Sequence, residues 1–352
     1  MYSPQQNFDL ITLLRSKNIN LVEIIDLIKQ GNCPSQILKE VKKFKSSQII
    51  SANLVEDELV KVSKFNAKII TIFSDNYPKL LTHISNPPPI LTIKGDINLL
   101  NNEKIIAVVG SRNASYNSLL FAKKIAHELS LSNIVTISGL ARGIDSQIHK
   151  SSINYKTIAV IAGGINNIYP RQNKYLYELI SENGLIISEN IFDSAPLPRN
   201  FILRNRIISG MAIATIIIEA GIKSGTLSTA NFANDQGRYV FAVPGAPYDY
   251  RSQGCNKLIK EGAIMMEDIQ DVYNEIGPLN SLECYNNEKK LDLSNLEINQ
   301  RQLLKNIGYS GTPINYLISK FNISSAKINE IISELELKNY IIVKDNKLFL
   351  IK

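Results

Sequence analysis

Short glycine turns that carry a cation and a hydroxyl recur through the middle of this 352-residue chain, and such turns are suited to holding phosphate. They are Gly110-Ser111-Arg112, Ser138-Gly139-Leu140-Ala141-Arg142-Gly143-Ile144-Asp145, Ala162-Gly163-Gly164 and Glu219-Ala220-Gly221-Ile222-Lys223-Ser224-Gly225-Thr226. Glycine lets a backbone approach a phosphate closely, and arginine offers a planar fork that matches two phosphate oxygens. Taken singly, each glycine reads equally well as the closure of a strand-to-helix turn. The repeated company of Arg112, Arg142, Lys223 and serine or threonine hydroxyls favours one shared anion-binding rim of backbone amides, helix amino ends and cations.

Two further segments add groups to that rim. In Phe201-Ile202-Leu203-Arg204-Asn205-Arg206, residues two apart on a helix point about 200° from each other. One arginine is therefore expected to face a ligand and the other a structural carboxylate such as Glu219; Arg204 is taken as the phosphate contact, beside Asn205. The second segment, Tyr169-Pro170-Arg171-Gln172-Asn173-Lys174, offers cations and an amide. Its Tyr169 can stack on a base or pack into the core, and core packing is the favoured reading.

Several chemistries are not indicated. The run Gly221 to Thr226 lacks the spacing of an ATP-hydrolysing phosphate loop, and no Gly-x-Gly-x-x-Gly marks a dinucleotide coenzyme. His83 and His127 have no catalytic partners in sequence. His149 follows Asp145 by four residues, so a local hydrogen bond between them is favoured over acid–base work. The cysteines Cys33, Cys255 and Cys284 are scattered with no Cys-x-x-Cys, which points to a reducing compartment and away from structural zinc. No catalytic residue, cofactor or metal is expected.

These groups need a scaffold that gathers them. From Lys104 onward, β-branched runs at 105–109, 134–137, 157–161, 185–187, 213–218 and 239–243 alternate with amphipathic segments. Continuous apolar strands separated by helices predict a mostly parallel, doubly wound, Rossmann-like α/β sheet, with ligands beyond the carboxyl ends of its strands. Before it, residues 1–66 have helical spacing and predict a small helical, SAM-like domain. Lys68 to Phe73 reads as a strand, and Asn86-Pro-Pro-Pro89 as a rigid connection into a core domain spanning 67–277. Residues 278–294, with Asn286-Asn-Glu-Lys-Lys290, read as a linker.

Residues 295–352 predict three helices and a hairpin, a winged helix. Thr312-Pro313 is expected to start one helix, Ser324-Ser325 to cap the next, and Asp345-Asn346 to turn the hairpin. Glu330, Glu334 and Glu336 face only Lys327 and Lys338 on its third helix, a poor match for phosphates, so a protein contact or regulatory role is expected of it. The net charge of +7 suits a polyanionic partner without deciding for one. The amino end lacks the run of a signal peptide, and Met211–Ile218 is too short to cross a bilayer, so a cytoplasmic protein without a membrane partner is expected.

Read together, the motifs resemble the DprA/Smf family of DNA-processing proteins over about residues 70 to 275. The residues that carry the likeness, in the family's order, begin with Gly110-Ser-Arg112, Ser138 to Asp145 with His149, Tyr169-Pro170 with Asn173, and Ser188-Glu189. They continue with Arg204 to Gly210, Glu219-Ala220, Ser224-Gly225 with Thr229-Ala230, Gly237-Arg238, Val243-Pro-Gly245, Gly254-Cys-Asn256 and Glu261-Gly-Ala263. Asn117, Ile202 and Asn166 depart from the family's usual glycine, proline and aspartate.

The resemblance implies a homodimeric, non-enzymatic protein that binds single-stranded DNA, protects it and helps load the RecA recombinase in natural transformation and recombination. By the same matching, Gly110, Ser111 and Arg112 hold a phosphate and a base, with Lys174, Arg204 and Lys223 in support. The expected DNA-binding set is completed by Gly139, Arg142, Asn173, Asn205, Ser224 and Gly225. The rival reading is a Rossmann-like nucleoside-monophosphate phosphoribohydrolase, whose Pro-Gly-Gly-x-Gly-Thr run is missing. A winged-helix transcription regulator is a third.

Overall fold

A computed structural model describes residues 2–16, 19–45, 49–276, 297–304, 306–307, 312–321, 324–338, 340–344 and 347–350. The chain divides into two units, Met1–Leu279 and Asn280–Lys352.

The first unit opens with four helices, α1 (Pro4–Arg15), α2 (Leu21–Lys29), α3 (Pro34–Lys45) and α4 (Ala52–Lys64). Ser3 starts α1 in a capping box: its hydroxyl accepts from the Gln6 N–H, and the Gln6 side chain accepts from the Ser3 N–H. Leu10, Leu13, Ile24, Ile28 and Val55 fill the space between the helices. A buried ion pair, Arg15 with Glu58 at 2.8 Å, fastens them to the sheet, since Arg15 also donates to the Glu189 carbonyl at 2.8 Å.

The sheet contains β1 (Lys68–Thr71), β2 (Ile90–Gly95), β3 (Ile105–Gly110), β4 (Val135–Ser138), β5 (Thr157–Ile161), β6 (Leu185–Ser188), β7 (Ala214–Ile218), β8 (Tyr239–Ala242) and β9 (Ile264–Met265). Its order is β1-β2-β6-β5-β4-β3-β7-β8-β9, with β1, β2 and β6 paired antiparallel and all other neighbours parallel. All six expected β-branched runs are strands of this mostly parallel sheet.

Helices α5 (Tyr116–Leu131), α6 (Ile144–Ser152), α7 (Lys174–Asn183), α8 (Pro198–Gly210), α9 (Thr226–Asp235), α10 (Gln253–Lys260) and α11 (Ile269–Ile276) cover both faces. The two-residue period of a strand decides which core each side chain joins. Along β3, Ile105, Ala107 and Val109 pack with Ile207, Ile208 and Ala230 of α8 and α9, while Ile106 and Val108 pack with Ile125 of α5 and Ile148 of α6. A strand apolar at every position is buried on both sides.

The second unit holds α12 (Ile298–Leu304), β10 (Thr312–Pro313), α13 (Ile314–Phe321), α14 (Ser325–Leu337), β11 (Ile341–Lys344) and β12 (Lys347–Leu350), around Leu303, Leu317, Ile328, Leu335, Ile341 and Leu348. Its antiparallel sheet runs β10-β12-β11. Thr312 and Pro313 do not start a helix as expected; they pair with Leu348 and Lys347, and α13 begins one residue later. Proline lacks an N–H and is tolerated on such an edge strand. Ser324 does cap α14, accepting from the Lys327 N–H. The expected linker at 278–294 and the turn at Asp345-Asn346 lie outside the described residues. Among the described residues, no helix is long and apolar enough to cross a membrane.

Candidate nucleic-acid interface

Strand order reverses at β3, which has β4 on one side and β7 on the other. The helices that follow β3 and β7 leave on opposite faces, α5 against one core and α9 against the other, the arrangement that places ligands at the carboxyl ends of a doubly wound sheet. Three of the glycine turns interlock there. Ser111 N–H donates to the Glu219 carbonyl at 2.8 Å, Ile144 N–H to the Ser111 carbonyl at 3.2 Å, and the Thr226 hydroxyl to the Gly110 carbonyl at 3.0 Å. The approach is close enough that a Cβ on Gly110 would lie 2.0 Å from the Ile218 carbonyl oxygen.

Two residues without glycine's freedom hold left-handed backbone here, Leu140 at φ 57 and Glu219 at φ 56. Such strain, about 1–3 kcal/mol per residue, persists where the surroundings over-determine it. Asp145 accepts the N–H groups of Gly139 and Ala141 at 3.2 and 3.3 Å, and Asn173 donates to the Leu140 and Ala141 carbonyls at 2.9 and 3.2 Å. Glu219 takes the Ser115 N–H and, at 2.8 Å, the Ser118 hydroxyl, closing the amino end of α5.

Those bonds correct the expected source of the rim's positive potential. The amides of Ser111, Ile144 and Ser115 are engaged inside the protein, and the amino end of α5 already faces a carboxylate. Side-chain charge is what the rim offers solvent: Arg112, Arg142 and Lys223 are exposed. Lys174 is exposed too, 3.9 Å from Glu178 one turn along α7. An open pair of that kind contributes about 0–1 kcal/mol and leaves the ammonium available to another anion.

Arg204 does not reach solvent. Only 6% exposed, it donates to the Gly139 carbonyl at 2.7 Å, to the Val160 carbonyl and, through Nε, to Asn205 Oδ1 at 3.2 Å, with Asp145 as its charge partner. Arg206 is buried as well, against Glu189 at 2.5 Å. The expected division into one ligand-facing and one structural arginine is therefore replaced by two inward arginines, Arg204 held by backbone carbonyls and Arg206 by a carboxylate other than Glu219. Gly139 and Asn173 are likewise buried in the frame. Asn205 donates to Ser228 Oγ at 2.9 Å, Ser224 Oγ accepts from the Thr226 N–H, and Gly225 stands exposed before α9. These groups brace the turns against one another.

Burial sets the protonation of this frame. It pushes the Asp145 carboxyl up, against the pull of Arg204, and brings Arg204 down to about 10. His149 does not bond Asp145, whose carboxylate is taken by the turn; its Nδ1 meets Thr157 Oγ1 at 2.8 Å, and Nε2 is buried without a partner. Burial, with Arg204 adding to it, lowers the His149 pKa to about 3. An unfolded histidine titrates near 6.5, so below that pH the unfolded chain binds a proton that the folded one refuses. Stability from this residue is present above pH ~6.5 and falls by up to about 1.4 kcal/mol per pH unit as pH drops towards 3. Urea unfolding between about pH 7 and pH 5 checks this: the stability gap between the wild type and His149→Gln should shift with pH, and parallel curves would refute a neutral buried imidazole.

The site also contains an aromatic wall. The Arg112 guanidinium lies 5.4 Å from the centroid of the Phe201 ring, and Phe201 meets Tyr169 edge-on at 5.5 Å. Tyr169 is 49% exposed, so the core packing favoured from sequence gives way to a half-open ring beside Phe201. Phe201 is absent from the expected set. A signal for it exists: Phe201, Ile202 and Leu203 precede Arg204 on α8, and the last two are exposed apolar residues that a core-facing stripe would not place in succession.

Residues 68–277 match the family model described as DNA recombination-mediator protein A. The DNA processing protein DprA of Bacillus subtilis is 40% identical over 209 residues, 59% of this chain and 70% of that protein. The DprA structure from Streptococcus pneumoniae superposes with a TM-score of 0.65 at 31% identity, covering 78% of this chain and 98% of that one. DNA processing protein A of Helicobacter pylori, whose structure concerns its single-stranded DNA binding mode, superposes with a TM-score of 0.55 at 29% identity, over 60% and 95% of the two chains.

Proposed function

The chain belongs to the DNA recombination-mediator protein A family, the DprA/Smf proteins, and on that premise we propose that it binds single-stranded DNA along the carboxyl rim of its sheet. The observation that carries the reading is the exposed Arg112 set against the Phe201–Tyr169 wall at the point where strand order reverses. A cation beside open rings suits a polyanion whose bases are free to stack, and a paired duplex keeps its bases from such rings. The single-stranded DNA binding of the Helicobacter pylori relative supports the same substrate. Arg142, Lys174 and Lys223 extend the phosphate path, while Arg204, Asn173, Asn205 and Asp145 act beneath it as positioning residues.

The wider role that goes with this reading is DNA processing in transformation and recombination, with protection of the strand and delivery to the RecA recombinase by a cytoplasmic homodimer. The second unit serves in it as a winged helix for protein contact, in keeping with exposed Glu330, Glu334 and Glu336 on α14, carboxylates that repel phosphate. No catalysis is assigned. Phosphoribohydrolase chemistry is not favoured, because Asp145 and Glu219 are committed to backbone N–H groups and Glu189, after β6, to Arg206.

Arg112→Ala tests the site. Loss of one charged contact should weaken binding to an oligothymidine about tenfold and lower the slope of log affinity against log salt by about 0.7, measured by fluorescence anisotropy over a salt series. An unchanged slope would remove Arg112 from the phosphate path.

A further inference from the structure

Past Lys223 the same edge of the sheet continues into the loop after β8, and this loop carries two tyrosines left open to solvent. Tyr248 is 99% exposed and Tyr250 71%. The loop that presents them is braced. Gly254 N–H donates to the Ala220 carbonyl at 2.7 Å, the Asn256 side chain bonds the Gly245 N–H and carbonyl at 3.1 and 2.9 Å, and Asp249 holds the Arg251 guanidinium at 3.0 and 3.1 Å. The Tyr250 carbonyl oxygen stands 3.1 Å from where a Cβ on Gly221 would be, so the tyrosine loop adjoins the Gly221–Lys223 turn. Arg251 lies 5.7 Å from the centroid of the Tyr250 ring. Large rings held out by a tied-down backbone lose little freedom when something flat settles on them.

We propose that Tyr248 and Tyr250 form an outer base-stacking station for the same single strand, on the far side of Arg112 from the Phe201–Tyr169 wall. The proposal rests on the rim reading above and adds a second place where bases are held. Strand order sets the span: Tyr169 follows β5 and Tyr250 follows β8, four strands further along the sheet, roughly 19 Å at the usual inter-strand spacing. A few nucleotides cover that distance, with Arg142, Arg112 and Lys223 on the turns between. A nucleic acid fits these tyrosines better than a protein does, because exposed Lys223 stands on the adjoining turn and the carboxylate between the rings, Asp249, is neutralised by Arg251. Stacking on an aromatic ring tolerates any base, so the station lengthens the footprint without imposing a sequence.

The chain contains no tryptophan, so Tyr250→Trp places a sole indole reporter at the station. The full-length variant is titrated with a dye-labelled oligothymidine, reading dye anisotropy and indole emission together. Emission should be quenched in step with the anisotropy rise. The double variant Tyr248→Ala/Tyr250→Ala should bind the oligomer about tenfold more weakly, and Tyr248→Phe/Tyr250→Phe within about twofold of the wild type, since the ring and not the hydroxyl does the stacking. Binding with unquenched indole, or an alanine variant of undiminished affinity, overturns the station and leaves the rim reading intact. Loss of self-association by the alanine variant with DNA affinity unchanged would assign the rings to a second copy and also overturn it. Failure of the unsubstituted protein to bind the oligomer would sink the rim reading and the station together.

Discussion

Arg204→Ala should destabilise the protein by about 3–5 kcal/mol, because two backbone carbonyls lose a buried charged donor and the buried Asp145 carboxylate loses the opposite charge that favours it. The geometry makes this pair a severe case. Arg204 is 6% exposed and Asp145 5%, and the two support opposite sides of one turn: the arginine binds the Gly139 carbonyl, and the carboxylate binds the Gly139 and Ala141 N–H groups. Asp145→Ala should cost a similar amount. The double substitution should cost less than the sum of the two, because no charge then remains buried alone. Denaturant unfolding of the four proteins measures the coupling, and a coupling under about 0.5 kcal/mol would show that the two groups act independently. Affinity for single-stranded DNA should fall in both single variants through the loosened turn, while the salt slope stays near the wild-type value, as no phosphate contact is lost. That split separates a positioning residue from a contact such as Arg112.

The same pair shows why the fold was more legible than the site. Period and propensity act over five or more residues at once, so Ile105–Val109 or Thr157–Ile161 declare a buried strand without knowledge of their neighbours. Two strands of the larger sheet escaped notice for physical reasons: β9 is two residues long, and β2 follows a proline run, pairs antiparallel and is polar at its end. Residue type and the glycine turns located the rim, because glycine, cation and hydroxyl cluster in sequence before they cluster in space. Whether a given cation points outward depends on contacts far along the chain. Arg204 turns inward because the Val160 carbonyl and Asp145 wait for it, 44 and 59 positions away. Helical phase alone, which separates Arg204 from Arg206, carries no information about either partner. The amides failed as donors for the same reason: Ser111 finds Glu219 only after β3 and β7 have paired.

Gly143→Ala should be strongly damaging for a single-methyl change in the rim. Gly143 sits at φ 74, ψ −126, a conformation that side chains rarely adopt, and an added Cβ would stand 2.2 Å from the Ser111 carbonyl oxygen and 2.7 Å from that of Arg112. Both obstacles are backbone. Relief requires the Gly110–Arg112 turn to move away, and that movement breaks the bond from the Ile144 N–H to the Ser111 carbonyl. Backbone strain of about 1–3 kcal/mol and a lost buried hydrogen bond of about 1 kcal/mol act together, so a loss of roughly 2–4 kcal/mol is expected. Because the displaced turn is the one that aims Arg112, single-stranded DNA affinity should fall along with stability. Gly225→Ala is the natural control. Its φ of −61 is ordinary, and nothing lies within 4 Å of the new methyl. That variant should unfold within about 0.5 kcal/mol of the wild type or be slightly more stable. If the two alanine variants unfold at the same denaturant concentration, the β3 and β4 turns are not locked together, and the aim of Arg112 must be fixed by Phe201 alone.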